Sequence, residues 1–240
     1  MTQVRKHYKD FKISWKLALK LLSFFLFVLV VSFTFNHTKR ANYFPIKEVK
    51  IAGLEHVDHQ EVQDLLRPLV TKGFFTVDLD LIKERLMHFS WVSEAYVRRI
   101  WPNQIIVQVI EKKPVARWNH AGLLTTSGEI FSPNQDSHPK DLPVFVGPEG
   151  EHMQMLNYYL KMATLLEPLQ LKITNLELKP QLTWQVTLSN GIKLNIGYKD
   201  VLTRISHFVK VYPQIVGNRS KDVDYVDLRY ANGFAVRWKA

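Results

Sequence analysis

Leu17 to Phe35, LALKLLSFFLFVLVVSFTF, is apolar on every side apart from Lys20. At 1.5 Å per residue a helix over this segment is about 28 Å long, roughly a bilayer core, with Lys20 extending its ammonium toward the headgroups. A buried core helix does not fit, because the run has no polar face to solvate. A cleavable signal peptide is the rival, but it needs small residues at a cleavage site, and NHTKRANYFP follows here. The pattern predicts a retained transmembrane helix over 17–35, with a linker over 36–43.

From residue 44 the rhythm changes. FPIKEVKIAG alternates Ile46, Val49 and Ile51 with lysines and ends on Gly53, which predicts a strand leaving into a turn. VDHQEVQDLLRPLV places Val62, Leu65, Leu66 and Leu69 on one helical face behind an N-cap at Asp58, with Pro68 ending or kinking the helix. After Gly73, Asp78 caps a second helix whose stripe is Leu79, Ile82, Leu86 and Phe89. SEAYVRRIWP and NQIIVQVIEKKPVARW then read as two strands joined by a bend at WPN. The order is strand, helix, helix, strand, strand over residues 44–116.

A second domain is expected over 117–240. Short runs broken by Gly122, Gly128 and a Pro-, Asp- and Gly-rich stretch precede a helix from about Glu151 to Glu167. LTWQVTLSN and GIKLNIGY form a hairpin around Asn190-Gly191. DVLTRISHFVKVYPQIV is an amphipathic helix with Asp200 at its N-cap and Leu202, Ile205, Phe208, Val209 and Tyr212 inward. The chain closes on YVDLRYANGFAVRW, two alternating runs about an Asn-Gly, which predicts strands meeting at a tight bend. The predicted fold class is α+β: one N-terminal transmembrane helix, a compact strand-helix-helix-strand-strand domain, then a mixed β domain with an antiparallel sheet and two helices.

Charge fixes the orientation of the span. Residues 1–20 hold Arg5, Lys6, Lys9, Lys12, Lys16 and Lys20 against Asp10, half of the chain's formal +10, while 21–35 hold none. A basic flank of this kind predicts residues 1–16 in the cytoplasm and the bulk of the chain on the other side. The remaining excess is a bland surface balance and gives no basis for nucleic-acid binding. Cysteine is absent, which excludes disulfides, thiolate metal sites and cysteine nucleophiles.

Candidate chemistry is sparse. Ser137-His138-Pro139-Lys140 matches the S-x-x-K string of penicillin-binding proteins, but Pro139 and Pro143 mark a loop where that chemistry needs a helix start, and no S-D-N or K-T-G follows. His56, His59 and Glu61 straddle a turn and a helix start and read as surface polar residues rather than a metal site. Trp91, Trp101, Trp118, Trp184 and Trp238 lie in or beside strands, where core packing is the expectation for each. No catalytic residue, metal site or cofactor is assigned.

FSWVSEAYVRRIWPNQIIVQVIEKKPVARW, together with the short basic tail and single span before it, resembles the bacterial cell-division family FtsQ/DivIB, whose first periplasmic module is a POTRA domain. KVYPQIVG and VDYVDLRYANGFAVRW are similar to the closing helix and strands of that family's second, β domain. The resemblance implies a non-catalytic divisome scaffold of the inner membrane, its C-terminal domains periplasmic and gathered at the septum. Its partners would be division proteins of the FtsB and FtsL kind, received by strand addition to the last strands of the β domain, with further divisome components on the POTRA domain and the membrane helix. Carried over, the receptor positions are Arg229, Tyr230, Asn232, Gly233, Val236 and Arg237. Serine and glycine are familiar in the family where Asn232 and Arg237 stand here. Tyr230 offers a flat anchor, and Arg229 a fork for a partner carboxylate.

Other readings stay open. Tyr230 and Trp238 would simply close the core if Arg229, Arg237 and Lys239 blunt an edge strand. A POTRA-bearing chaperone or translocation component would bind unfolded chains, and a membrane-anchored cell-wall enzyme would need a catalytic cluster. Topology is directly testable: N-terminal sequencing of the mature membrane-associated protein should find the residues before 17 retained, and a start after residue 36 would refute the anchor.

Overall fold

The structure, a computed structural model, describes residues 15–38, 44–119, 122–230 and 233–239. The expected cytoplasmic segment up to residue 14, residues 39–43 of the expected linker, and Asn232 lie outside the described residues. The chain opens with α1 (Trp15–Thr38), a helix of 24 residues that contains the apolar run. Within it the described side chains are those of residues 15–16 and 18–33, and these are exposed. Among the described residues, no helix is long and apolar enough to cross a membrane.

Next come β1 (Glu48–Ala52), α2 (His59–Val70), α3 (Leu79–Met87), β2 (Val92–Ile100) and β3 (Gln104–Glu111), in the expected order. The strands form a three-stranded sheet in the order β1-β3-β2, with β1 parallel to β3. Asp58 caps α2 by accepting from the N–H groups of Gln60 and Glu61, and Asp78 accepts from Leu81. Pro68 sits in the last turn of α2 without stopping it before Val70. Val62, Leu66, Ile82, Leu86, Ile105 and Val107 are buried, which is the stripe-on-sheet core that the periodicity implies.

The rest of the chain holds β4 (Pro114–Trp118), β5 (Gly122–Thr125), β6 (Ile130–Phe131), β7 (Val144–Val146), α4 (His152–Leu166), β8 (Ile173–Leu178), β9 (Trp184–Leu188), β10 (Lys193–Gly197), α5 (Val201–Ile215), β11 (Val223–Asp227) and β12 (Ala235–Trp238). All nine strands join one sheet in the order β12-β11-β10-β9-β8-β7-β4-β5-β6. The expected antiparallel sheet is therefore corrected to a mixed one, since β4 with β7, β7 with β8, and β10 with β11 run parallel. A parallel pair needs a crossover, and the two helices supply two of them: α4 connects β7 to β8, and α5 connects β10 to β11. Met155, Met162 and Leu166 of α4 and Ile205 and Phe208 of α5 join Leu176, Val186, Leu194 and Val226 of the strands in one core.

Four further expectations change. NQIIVQVIEKKPVARW is not one strand: it breaks between β3 and β4, which join different sheets, with proline starting the second. Strand β8 was not expected at all. Asp200 precedes α5 but does not cap it with its side chain, because its left-handed backbone (φ 53, ψ 34) leaves that side chain no cap bond. Trp91, Trp118 and Trp184 are buried, whereas Trp101 and Trp238 are exposed, the first at a hairpin tip and the second on an end strand.

The described residues divide into two compact units. One takes those up to Leu54, then Asp58–Leu86 and Ala95–Val109; the other takes Glu55–Val57, Met87–Glu94 and everything from Ile110. In the second unit Glu111 gathers the turn at 55–57. Its carboxylate accepts from the N–H groups of Glu55 (2.9 Å), His56 (3.0 Å) and Val57 (3.1 Å) and meets His56 Nδ1 at 2.8 Å. The His56 ring stacks on Trp91 at 4.0 Å, and Trp91 Nε1 donates to Ser137 Oγ at 2.9 Å. His56 is thereby engaged structurally.

Burial pushes the Glu111 carboxyl up, but the N–H groups of Glu55 and Val57, then His56, outweigh it and hold it below the ordinary glutamate value. A lowered folded-state pKa gives stability that is complete above the unfolded value and is lost as pH falls through the folded one. Glu111→Ala should therefore lower stability by about 2 kcal/mol at neutral pH, since it strands three N–H donors. Urea unfolding of the chain in detergent, from about pH 7 to about pH 3, should show the gap to wild type closing in acid; a gap that stays constant would contradict the role of the carboxylate.

Candidate functional site

Strand β12 is an end of the nine-stranded sheet, with β11 its neighbour on one side. Its antiparallel register pairs Asp227 with Ala235, Val226 with Val236 and Tyr225 with Arg237. The bend between the two strands is longer than the Asn-Gly signal implies, because residues 228–234 connect them. Leu228 continues the β11 pairing by one residue, donating to Asn195 O of β10 at 2.9 Å.

Two hydrogen bonds orient the strand's main chain. Lys239 N–H donates to Asp222 O at 2.7 Å, so it faces β11. Successive N–H groups of a strand alternate in direction, so those of Arg237 and Ala235 also face β11, while those of Val236 and Trp238 face away from it. The Leu228 bond agrees, because it turns Val226 toward β10 and leaves Tyr225 and Asp227 for β12, on the near side of the register shift that β11 carries between Val223 and Tyr225. Side chains alternate too. Val236 and Phe234 pack against the core, while Ala235 and Arg237 lie exposed on the other face.

Arg229 is already held within the chain. Its Nε and Nη2 donate to the Asp227 carboxylate at 2.9 and 2.6 Å, and its N–H donates to the same group at 3.0 Å. The Arg229 hydrogen bond, opposed by burial, keeps Asp227 below its ordinary pKa. Asp227 is 8% exposed in its side chain and Arg229 63%, so the acid is a buried foot under an outward guanidinium. Gly197, with φ +85, makes room: a Cβ there would come within 3.0 Å of Arg204 Nη1 and 3.2 Å of Arg229 Cγ.

Tyr230 is 60% exposed. With Gly233 it lines a cavity of about 450 Å³ whose other walls include Asp200, Arg204, His207 and Phe234. Gly233 has open space where a Cβ would stand. Arg237 lies over the Tyr225 ring at 5.7 Å, and Arg219 stacks on Trp238 at 4.3 Å. Five of the six sequence-derived positions thus sit on β12 or the segment leading into it, and Asn232 lies outside the described residues. Sequence reasoning missed Asp227, whose i, i+2 spacing from Arg229 was the available signal, and it missed Gly197 and Arg219.

The S-x-x-K string lies in a short 3-10 turn and the loop after it, not at the start of an α-helix. Ser137 ends the turn, accepts from Trp91 Nε1 and donates to Asn134 O at 2.6 Å, so its hydroxyl proton is engaged within the turn. Among the described residues, no group of three or more His, Cys, Asp or Glu is placed to hold a metal ion.

Residues 44–112 match the family model of the FtsQ-type POTRA domain, and residues 116–229 match that of the C-terminal part of cell division protein FtsQ/DivIB. The chain is 33% identical over 238 residues to the cell division protein FtsQ of Coxiella burnetii (strain RSA 493 / Nine Mile phase I), covering 98% of this chain and 97% of that relative. It is 36% identical over 199 residues to the FtsQ of Burkholderia pseudomallei (strain K96243), covering 81% and 80%. With the FtsQ of Shewanella oneidensis the identity is 34% over 223 residues, covering 89% and 84%. From its two domain matches and its likeness over 80–97% of the length of these relatives, the chain belongs to the FtsQ/DivIB family of cell division proteins.

Proposed function

We propose that this chain is a non-catalytic scaffold of the divisome, anchored in the bacterial inner membrane by residues 17–35, with residues 1–16 cytoplasmic, a POTRA domain over 44–116 and a β domain over 117–240 in the periplasm. It links division proteins of the FtsB and FtsL kind by accepting a strand from one of them along β12. The observation that carries this reading is the outward main chain of Val236 and Trp238 at the sheet's end. An added strand would take those donors into a ladder, and side chains alternating along it would give selectivity. Arg237 and Lys239 on the edge favour an acidic partner segment and disfavour pairing of two identical edges. Arg229, preorganised by Asp227, and Tyr230 stand at one end of the same edge, where a partner chain would meet them on entering or leaving the strand.

Tyr230→Ala should cost about 2 kcal/mol of partner binding, the usual hot-spot threshold, with little loss of stability because the ring is exposed. A backbone test separates edge from core. Val236→Pro removes an outward donor, and should abolish binding of a synthetic partner segment while the domain stays folded. Ala235→Pro removes a donor that faces β11 and should destabilise the domain itself. Titration calorimetry with the segment and circular dichroism of both variants decide the matter: if both bind normally, or both unfold, β12 is not the receptor edge.

A further inference from the structure

The first unit carries an exposed aromatic cluster that strand addition does not use. Trp101, at the β2–β3 bend, is 63% exposed, and Phe75 is 50% exposed. Phe44 lies 5.1 Å from Phe75 and 5.7 Å from Trp101, ring centre to ring centre, and Phe75 lies 6.0 Å from Trp101. Phe74, buried beneath, touches both Phe75 and Trp101.

Main-chain bonds hold the three segments together. Phe74 N–H donates to Phe44 O at 2.8 Å, and Lys47 N–H donates to Asn103 O at 2.9 Å. Arg99, on β2, reaches back to the turn, its Nε donating to Phe74 O at 2.8 Å and its Nη2 to Val77 O at 2.5 Å. The result is a hydrogen-bonded platform that presents the exposed rings of Phe75 and Trp101. A contiguous apolar patch of this kind marks an interaction surface, whereas singly scattered apolar residues do not.

Chain length names the occupant. Helix α1 ends at Thr38, and Phe44 follows six residues later. Even fully extended, that stretch spans at most about 22 Å, so the anchor proposed over residues 17–35 would keep the platform within reach of the headgroups. Its residue types suit that zone, where Trp and Phe rings rest at the boundary of headgroup and acyl chain. Lys47, Lys72 and Arg98 are exposed on the segments that form it, and Lys39 and Arg40 precede it in sequence. The acid Glu48 is drawn toward Lys50 at 3.6 Å and Gln104. Basic side chains at this level attract anionic lipid. A tethered platform needs little intrinsic affinity, because the anchor makes its encounter with the bilayer intramolecular.

We propose that Phe44, Phe75 and Trp101 form a membrane-docking foot that rests in the phospholipid interface and fixes the orientation of the first unit. The proposal rests on the retained anchor. The chain has no cysteine, so single labels can be placed cleanly. Thr76→Cys, exposed beside Phe75, and Gln108→Cys, exposed toward the far end of β3, would each carry a fluorophore in the full chain. The protein is reconstituted in nanodiscs of phosphatidylethanolamine and phosphatidylglycerol that contain a lipid-borne quencher. The label at 76 should be quenched about threefold more than the label at 108, which is about 13 Å further along the strand from the tip. Trp101→Ser, a change at an exposed position, should remove most of that difference.

Equal quenching at the two positions, or no effect of Trp101→Ser, overturns the foot. Shielding of residue 76 in native membranes but not in lipid alone assigns the platform to a protein partner and also overturns it. Failure of the anchor reads differently, since the chain would then be released from proteoliposomes by alkaline carbonate. A chain that is retained while its label stays in water sinks the foot alone.

Discussion

An open sheet must end, and at each end a row of main-chain donors and acceptors meets something other than its own strands. The nine-stranded sheet ends on β6 at one side and β12 at the other, and it treats the two differently. β6 is two residues long, Ile130 and Phe131, too short to template another chain. β12 is four residues long and carries Arg237, with Lys239 just beyond. One edge is closed by brevity. The other is left open and guarded by charge, and the surrounding structure is arranged about that difference.

The arrangement begins with α5. Because β10 and β11 are parallel, the chain must cross over between them, and α5 makes the crossing with Ile205 and Phe208 packed into the core. That crossing sets β11 beside β10 and leaves β12 to pair back antiparallel on the outside. Gly197, at the end of β10, then admits Arg204 and Arg229 where any larger residue would meet them. Asp227 closes the set by holding Arg229 from below. The β12 positions and Arg229 are thus placed by the path of a buried crossover and the Asp227 clamp.

Much of this was legible in the sequence wherever the determinant was local. The α2 and α3 stripes with their Asp58 and Asp78 caps, the α4 and α5 helices and the Asn190-Gly191 hairpin all follow from spacing and turn chemistry. Strand β8 escaped because a register shift between Ile173 and Asn175 spoils its alternation, so that Ile173, Leu176 and Leu178 are the buried positions. Parallel pairing escaped because it joins residues far apart in the chain. Asp200 has a cap residue's identity but not a cap residue's backbone angles. At the site, the positions on the edge were legible, but the Asp227 clamp and the outward direction of Val236 needed the register of β12 against β11.

A receptor edge works best when it is already a strand. β12 is held in extended form by its pairs with β11, and Val236 and Phe234 fix its inner face against the core. A partner segment adding to it would lose its own conformational freedom, while the receptor loses little. Affinity would then follow how well the incoming side chains meet Arg237, Tyr230 and the exposed end of Trp238, since the outward main-chain donors accept any sequence alike. Selectivity at the proposed edge would rest on the same charges that guard it. In the proposed reading, two copies of this strand would set Arg237 and Lys239 against like charges, whereas an acidic strand would meet them favourably, so the charges that disfavour self-association would also choose the partner.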